Sequence, residues 1–185
     1  VFFRSQVKPG LMMRAFQPLK RIADAGVPVL VVPGNHERSA IPYPLLALHP
    51  GVHLFDRPRT ISLSIHGADV AVAGFPCERN QVRSRFRDLV RRTGWSSVPS
   101  ALRLLCFHQS VEGATVGPAE YVFRSSADVI PGATIPRGFA AVLAGHIHRH
   151  QVLAADLAGR SLAAPVFYPG STRRTSGAES GETKG

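Results

Sequence analysis

Three of the chain's eight histidines fall within five positions, in VLAGHIHRHQV (142–152), where His146, His148 and His150 follow an apolar run and a glycine. Two other stretches end in the same way. VLVV (29–32) runs into Pro33, Gly34, Asn35 and His36, and RLLCF (103–107) runs into His108. Imidazole is the commonest protein metal ligand, and an amide oxygen suits a divalent ion of intermediate hardness. Residues two apart on an extended chain face the same way, so His146 and His148 can address one site. Any one of these histidines alone could be a polar residue closing a strand. All of them at the same topological position point to one rim where Asn35, His36, His108, His146 and His148 converge, with imidazole and amide groups of the kind that bind a metal.

Such residues meet only if the elements before them are aligned. In open α/β sheets, ligands gather outside the carboxyl ends of the strands. The β-branched run VPVLVV (27–32), SALRLLCFH (100–108) and FAAVLAGH (139–146) lack alternation, which predicts strands buried on both faces. If they are parallel neighbours, their carboxyl ends share one rim, and Gly34 and Gly145 let the backbone turn there. PGLMMRAFQPLKRIADAG (9–26) has apolar residues at helical spacing, with Pro9 near its start and Gly26 at its stop. RNQVRSRFRDLVRRTG (79–94) predicts a second, arginine-rich helix. PYPLLALHPG (42–51) reads as a short helix or turn. VHLF (52–55), TISLSIHG (60–67) and ADVAVAGF (68–75) predict strands, the last two joined by a tight turn at Gly67–Asp69. Residues 109–138 are loop-rich, and 150–171 predict a hairpin and a final strand. The pattern is a layered α/β fold in one domain spanning 1–185.

The bulk composition limits what this domain does. The chain has 185 residues, 44% hydrophobic and 18% charged, enough for one sizeable core. Lys and Arg number 22 against 12 Asp and Glu, a net +10. That balance suits a polyanion such as nucleic acid; a merely basic composition fits it equally well. Cys77 and Cys106 form no framework and no CxxC, and each follows or ends an apolar stretch, so both read as buried reduced thiols. No apolar run is long enough to span a membrane, and no signal peptide opens the chain. A soluble cytoplasmic protein is expected.

GNHE (34–37), FHQS (107–110) and GHIH (145–148) resemble, in order and spacing, the later motifs of the calcineurin-like metallophosphoesterase superfamily. The tail YPGSTRRTSGAESGETKG (168–185) is similar to that of the DNA-repair exonuclease branch, the nuclease subunits of SbcCD-type complexes. The resemblance implies a β-sheet sandwich flanked by helices. It implies a site for two divalent metal ions, manganese in this branch, with Asn35, His108 and His146 on one ion and His148 on the other. His36 would be the acid that steadies the phosphate and protonates the leaving oxygen. Glu37 would be a surface residue or a partner of the site. The function implied is phosphodiester hydrolysis, as a DNA exonuclease or endonuclease of double-strand-break repair. Its partners would be DNA, an SMC-like ATPase subunit and a second copy of the chain.

The family pattern also includes an Asp-x-His and a Gly-Asp ahead of these motifs, and neither is present. Asp24, Asp56 and Asp69 read as turn residues and do not replace them. The expectation is therefore a domain truncated at both ends, whose parent is an active enzyme while this fragment alone binds metal poorly and is inactive. Two other readings remain: a phosphodiesterase or phosphatase for small substrates, and a non-catalytic remnant of the fold. Arg173, Arg174 and His150 are candidate substrate contacts; His150 reads equally as an exposed residue beyond the turn. Arg79, Arg83, Arg85, Arg87, Arg91 and Arg92 form either a solvated basic face or a phosphate-binding one. Tyr43, Phe123 and Tyr168 either stack on bases or belong to the core.

Overall fold

The computed structural model describes residues 8–36, 48–174 and 177–179. Glu37, Tyr43 and most of the 42–51 stretch lie outside them. Helix α1 (Pro9–Asp24) leads into β1 (Val29–Val31), which pairs in parallel with β2 (Val52–Leu54) as a two-stranded sheet. A second sheet has six strands: β3 (Arg59–Ile65), β4 (Ala68–Gly74), β5 (Leu102–His108), β10 (Ala141–Gly145), β11 (Gln151–Ala155) and β12 (Ser161–Tyr168). Their order across the sheet is β11-β12-β10-β5-β4-β3. The four inner strands are parallel, and the two edge strands run against their neighbours. Helix α2 (Val82–Arg92) connects β4 to β5. The fold is thus mixed α/β, with a central six-stranded mixed sheet and two α-helices among the described residues.

The layers follow from the sequence pattern. Along β5, Leu104 and Cys106 face one way while Leu105 and Phe107 face the other, and both sides are apolar. One face meets Phe75, Val82, Phe86, Leu89 and Val90, which brings α2 onto the sheet. There Phe75, Phe86 and Phe107 form a triangle with ring centroids 5.7–6.2 Å apart. The opposite face packs against Phe55 and, through Leu30 and Val32, against the β1–β2 pair. Helix α1 covers the far side of that pair with Phe16 and Ala23. A strand apolar on both faces needs such a layer on each side.

Several expectations shift at the detail. Strand β1 does not neighbour β5 in one sheet; it belongs to the two-stranded layer stacked on the larger sheet. The β3–β4 turn is His66–Gly67, with φ of 50° and 80°, because Ile65 pairs with Ala68. Two left-handed residues match the strand twist of a tight hairpin. Asp69 is consequently a strand residue opposite Ser64. Asp24 ends α1, held by Lys20 and His49. The loop-rich 109–138 segment holds four two-residue strands: β6 (Ser110–Val111), β7 (Thr115–Val116), β8 (Tyr121–Val122) and β9 (Val129–Ile130). The hairpin expected near the end is β11–β12 itself, so it already contains the final strand.

Candidate metal centre

Strands β5 and β10 run parallel with Gly145 directly opposite His108. The pairing therefore brings His108 and His146 to the same end of the sheet. Their rings lie edge to face, with centroids 5.3 Å apart. Gly145 makes this possible, since a Cβ there would stand 2.6 Å from His108 Nδ1. The loop after β1 arrives from the other layer. His108 Nε2 donates to Asn35 Oδ1 over 3.0 Å. Asn35 and His108 thus meet although their strands belong to different sheets.

His146 has φ of 86°, beyond the ordinary left-handed range that His66, Gln81 and Glu120 occupy at 50–56°. Such a backbone costs on the order of 1–3 kcal/mol and persists where its surroundings impose it, which is characteristic of functional sites. Burial, and then the charges of His148 and His36, press the His146 pKa below its usual 6.5. A neutral imidazole is the form that ligates metal. The same effect places His36 and His148 within electrostatic reach of His146. His36, His148 and His150 are exposed, whereas Asn35, His108 and His146 are half-buried.

The rim is tied together by main-chain and side-chain bonds. Cys77 N donates to Pro33 O over 2.8 Å, linking the loop after β4 to the loop after β1. Buried Gln109 donates from Nε2 to Glu78 O over 2.6 Å. The Arg79 guanidinium donates to Asn35 O. Arg79 belongs to the 79–94 stretch that predicts a helix, yet it lies in the loop ahead of α2 and puts a cation at the rim. The basic helix is largely paired within the chain, through Arg83 with Glu112, Arg85 with Glu78 and Arg91 with Asp88. Arg173 and Arg174 are exposed after β12.

The aromatic candidates separate clearly. Tyr168 is fully buried, and its hydroxyl donates to Gln109 O and accepts from Val111 N, each over 2.9 Å. It is a core residue and unable to stack on a base. Phe123 packs against the same core, edge-on to Tyr121.

Two further residues of the site lie in the 168–185 tail, outside the GNHE, FHQS and GHIH motifs. Glu179, in a single 3-10 turn (Gly177–Glu179), is buried and lies 3.0 Å from His148 Nδ1. Ser171 donates from its backbone N to His148 O over 3.0 Å. The β11–β12 hairpin, which pairs Gln151 with Tyr168, carries Ser171 back to His148, but no element fixes the further step to Glu179.

The donor set of one amide and three imidazoles fits a divalent ion of intermediate hardness. Among the described residues, no three His, Cys, Asp or Glu side chains stand close enough to hold an ion by themselves. Asp24, Asp56 and Asp69 lie elsewhere, and Glu78 is engaged by Arg85. The assembled part is therefore the Asn35–His108–His146 group with His148 beside it.

No family model matches the chain, and no curated protein matches it. Its fold is shared: 35 chains of solved structures match. One of them, a crystal structure, aligns at a TM-score of 0.53 and 16% identity, over 88% of this chain. The chain spans 65% of the length of that structure. At that identity the likeness concerns the fold alone. No helix among the described residues is long and apolar enough to cross a membrane.

Proposed function

We propose that the chain is a metal-dependent phosphodiester hydrolase of the calcineurin-like metallophosphoesterase type, acting on DNA as SbcD-like repair nucleases do. The observation that carries this reading is the meeting of Asn35, His108 and His146, from three separate strand ends in two sheets, at one rim. The two stacked sheets with helices outside them are the layering that such a fold requires. Two divalent ions, manganese by resemblance, would polarise the phosphoryl oxygens and supply an activated water near neutral pH.

The chain's own residues would do the rest. Asn35, His108 and His146 would hold one ion and His148 the other. Neutral His146 presents a ring nitrogen without first losing a proton. Exposed His36, beside the site, would donate a proton to the leaving oxygen, the general-acid role most often taken by imidazole. Arg79 at Asn35 would attract the phosphate. The net charge of +10 favours a polyanionic substrate over a small one. Cys77 and Cys106, neither in a disulfide, suit a reducing compartment such as the cytoplasm.

The test is cleavage of a double-stranded oligonucleotide by the natural full-length protein. Cleavage should require manganese, fall steeply with salt and drop to background in His146→Ala. Cleavage that survives a chelator, or that His146→Ala leaves intact, would refute the reading.

A further inference from the structure

Glu179 has a role that the metal-site motifs do not contain. Its side chain is only 9% exposed, and a carboxylate is buried at a cost unless it is paired. Its partners include His148 Nδ1 at 3.0 Å, and the Ser171 hydroxyl, which donates to Arg173 O over 2.8 Å, lies 3.4 Å from its other oxygen. His148 itself is 46% exposed, so the buried member of the pair is the acid. The same segment also grips the His148 main chain through the Ser171 N bond to His148 O. Gly170 permits that approach: its φ is 83°, and a Cβ there would lie 2.9 Å from both His148 O and His150 N. The turn after β12 thus holds His148 by backbone and by ring.

We infer that Glu179 is a positioning residue that fixes the tautomer and orientation of His148 for an ion. This inference rests on the metal-site reading above. The 3.0 Å contact to a carboxylate oxygen, an acceptor, makes Nδ1 the donor of the pair. The nitrogen through which His148 would meet an ion is then Nε2. A ligating histidine that gives its other N–H to a carboxylate gains basicity and a fixed ring plane, and loss of that carboxylate typically costs about 10- to 100-fold in metal affinity.

The experiment uses nitrogen-15 NMR of the imidazoles in the ion-free chain, together with Mn²⁺ affinity read from paramagnetic broadening, which registers weak binding. The native chain should show His148 with its proton on Nδ1. Glu179→Ala should shift the tautomer toward Nε2–H and weaken Mn²⁺ binding about 10- to 100-fold. Glu179→Gln keeps an acceptor oxygen, so it should retain the Nδ1–H tautomer and lie between the two in affinity. A native His148 protonated on Nε2 would overturn the proposal. So would a Glu179→Ala chain whose tautomer and affinity match the native ones. His146→Ala separates the two levels of the argument. If it leaves Mn²⁺ affinity unchanged, the metal-site reading itself fails, whatever Glu179 does to the tautomer.

Discussion

Replacing Gly145 by alanine should damage the site while sparing the fold. Gly145 closes β10 without a positive φ, so alanine can adopt its backbone unstrained. That exchange alone stabilises by roughly 0.4–1 kcal/mol, because it narrows the unfolded ensemble. The new Cβ would, however, sit 2.6 Å from His108 Nδ1. To reach an ordinary 3.4 Å contact the ring must retreat by about 0.8 Å. A ring displaced that far cannot keep both its 3.0 Å bond to Asn35 and its edge contact with His146. Losing the hydrogen bond costs about 0.5–1.5 kcal/mol. The two effects nearly cancel, so the net stability change should stay within about 1 kcal/mol, or roughly 2–4 °C in Tm for a chain of this size. The site has no such compensation. A misplacement near 1 Å can cost about a hundredfold in turnover. Thermal melts read the first quantity; manganese-dependent cleavage by the full-length protein reads the second. A variant that melts within a few degrees of the native protein and cleaves as well as it does would refute the argument. It would mean that the His108 position has no bearing on the chemistry.

Other perturbations probe separate parts of the account. His36→Ala in the full-length protein should lower turnover about 10²- to 10⁴-fold while metal content, read by elemental analysis, stays near native. The loss should be smaller for a nitrophenyl ester, whose leaving group needs little protonation; equal losses on both substrates, or stripped metal, would contradict the acid role. Cys106 is buried and its thiol is pushed up to about 12, whereas Cys77, expected to be buried too, is only half-buried because it sits in the loop after β4 rather than in a strand. A thiolate-selective alkylating reagent at pH 8–9 should therefore modify Cys77 and spare Cys106 until the chain unfolds, as read by peptide mass mapping, because the Cys106 thiolate forms only as pH approaches about 12. Tyr168→Phe should strand the Gln109 carbonyl and the Val111 amide in the core. The expected cost is about 1–3 kcal/mol, a fall of roughly 2–12 °C in a thermal melt.

The strands and helices were legible because both periodicities are clean. The apolar positions from Leu11 to Ala23 mark a helix, and the unalternating runs before Asn35, His108 and Gly145 mark strands, although β10 departs from the expected burial on both faces: Val142 and Ala144 are buried while Leu143 between them is exposed. What the sequence left open was which strands are neighbours. Periodicity says that a strand is covered on both faces, and not whether the cover is a helix or a second sheet. That is why β1 could be read as a neighbour of β5, when it is stacked on the sheet that contains β5. The Asn35–His108 contact survives this difference because a rim is shared between stacked layers as well as between paired strands. Arg79 and Glu179 were not legible, since both sit in irregular backbone with no period to extrapolate. Tyr168 was ambiguous for a physical reason. A tyrosine at a strand end can face either side of the sheet, and only the Gln109 and Val111 partners settle that it faces inward.

Asn35, His108 and His146 on one ion, with His148 on a second ion beside it, form the two-ion site on which the proposed function depends. This assignment is tested most directly by titrating Mn²⁺ at low loading into the isotope-labelled chain and following the imidazole signals of all eight histidines. His108, His146 and His148 should broaden first and together, with His36 close behind. His49, held by Asp24 at the end of α1, and His66, in the β3–β4 turn at the opposite end of the sheet, should persist. His66 is as exposed as any candidate ligand, so it controls for simple access. Broadening that follows exposure alone, with His66 fading as early as His146, would contradict the account.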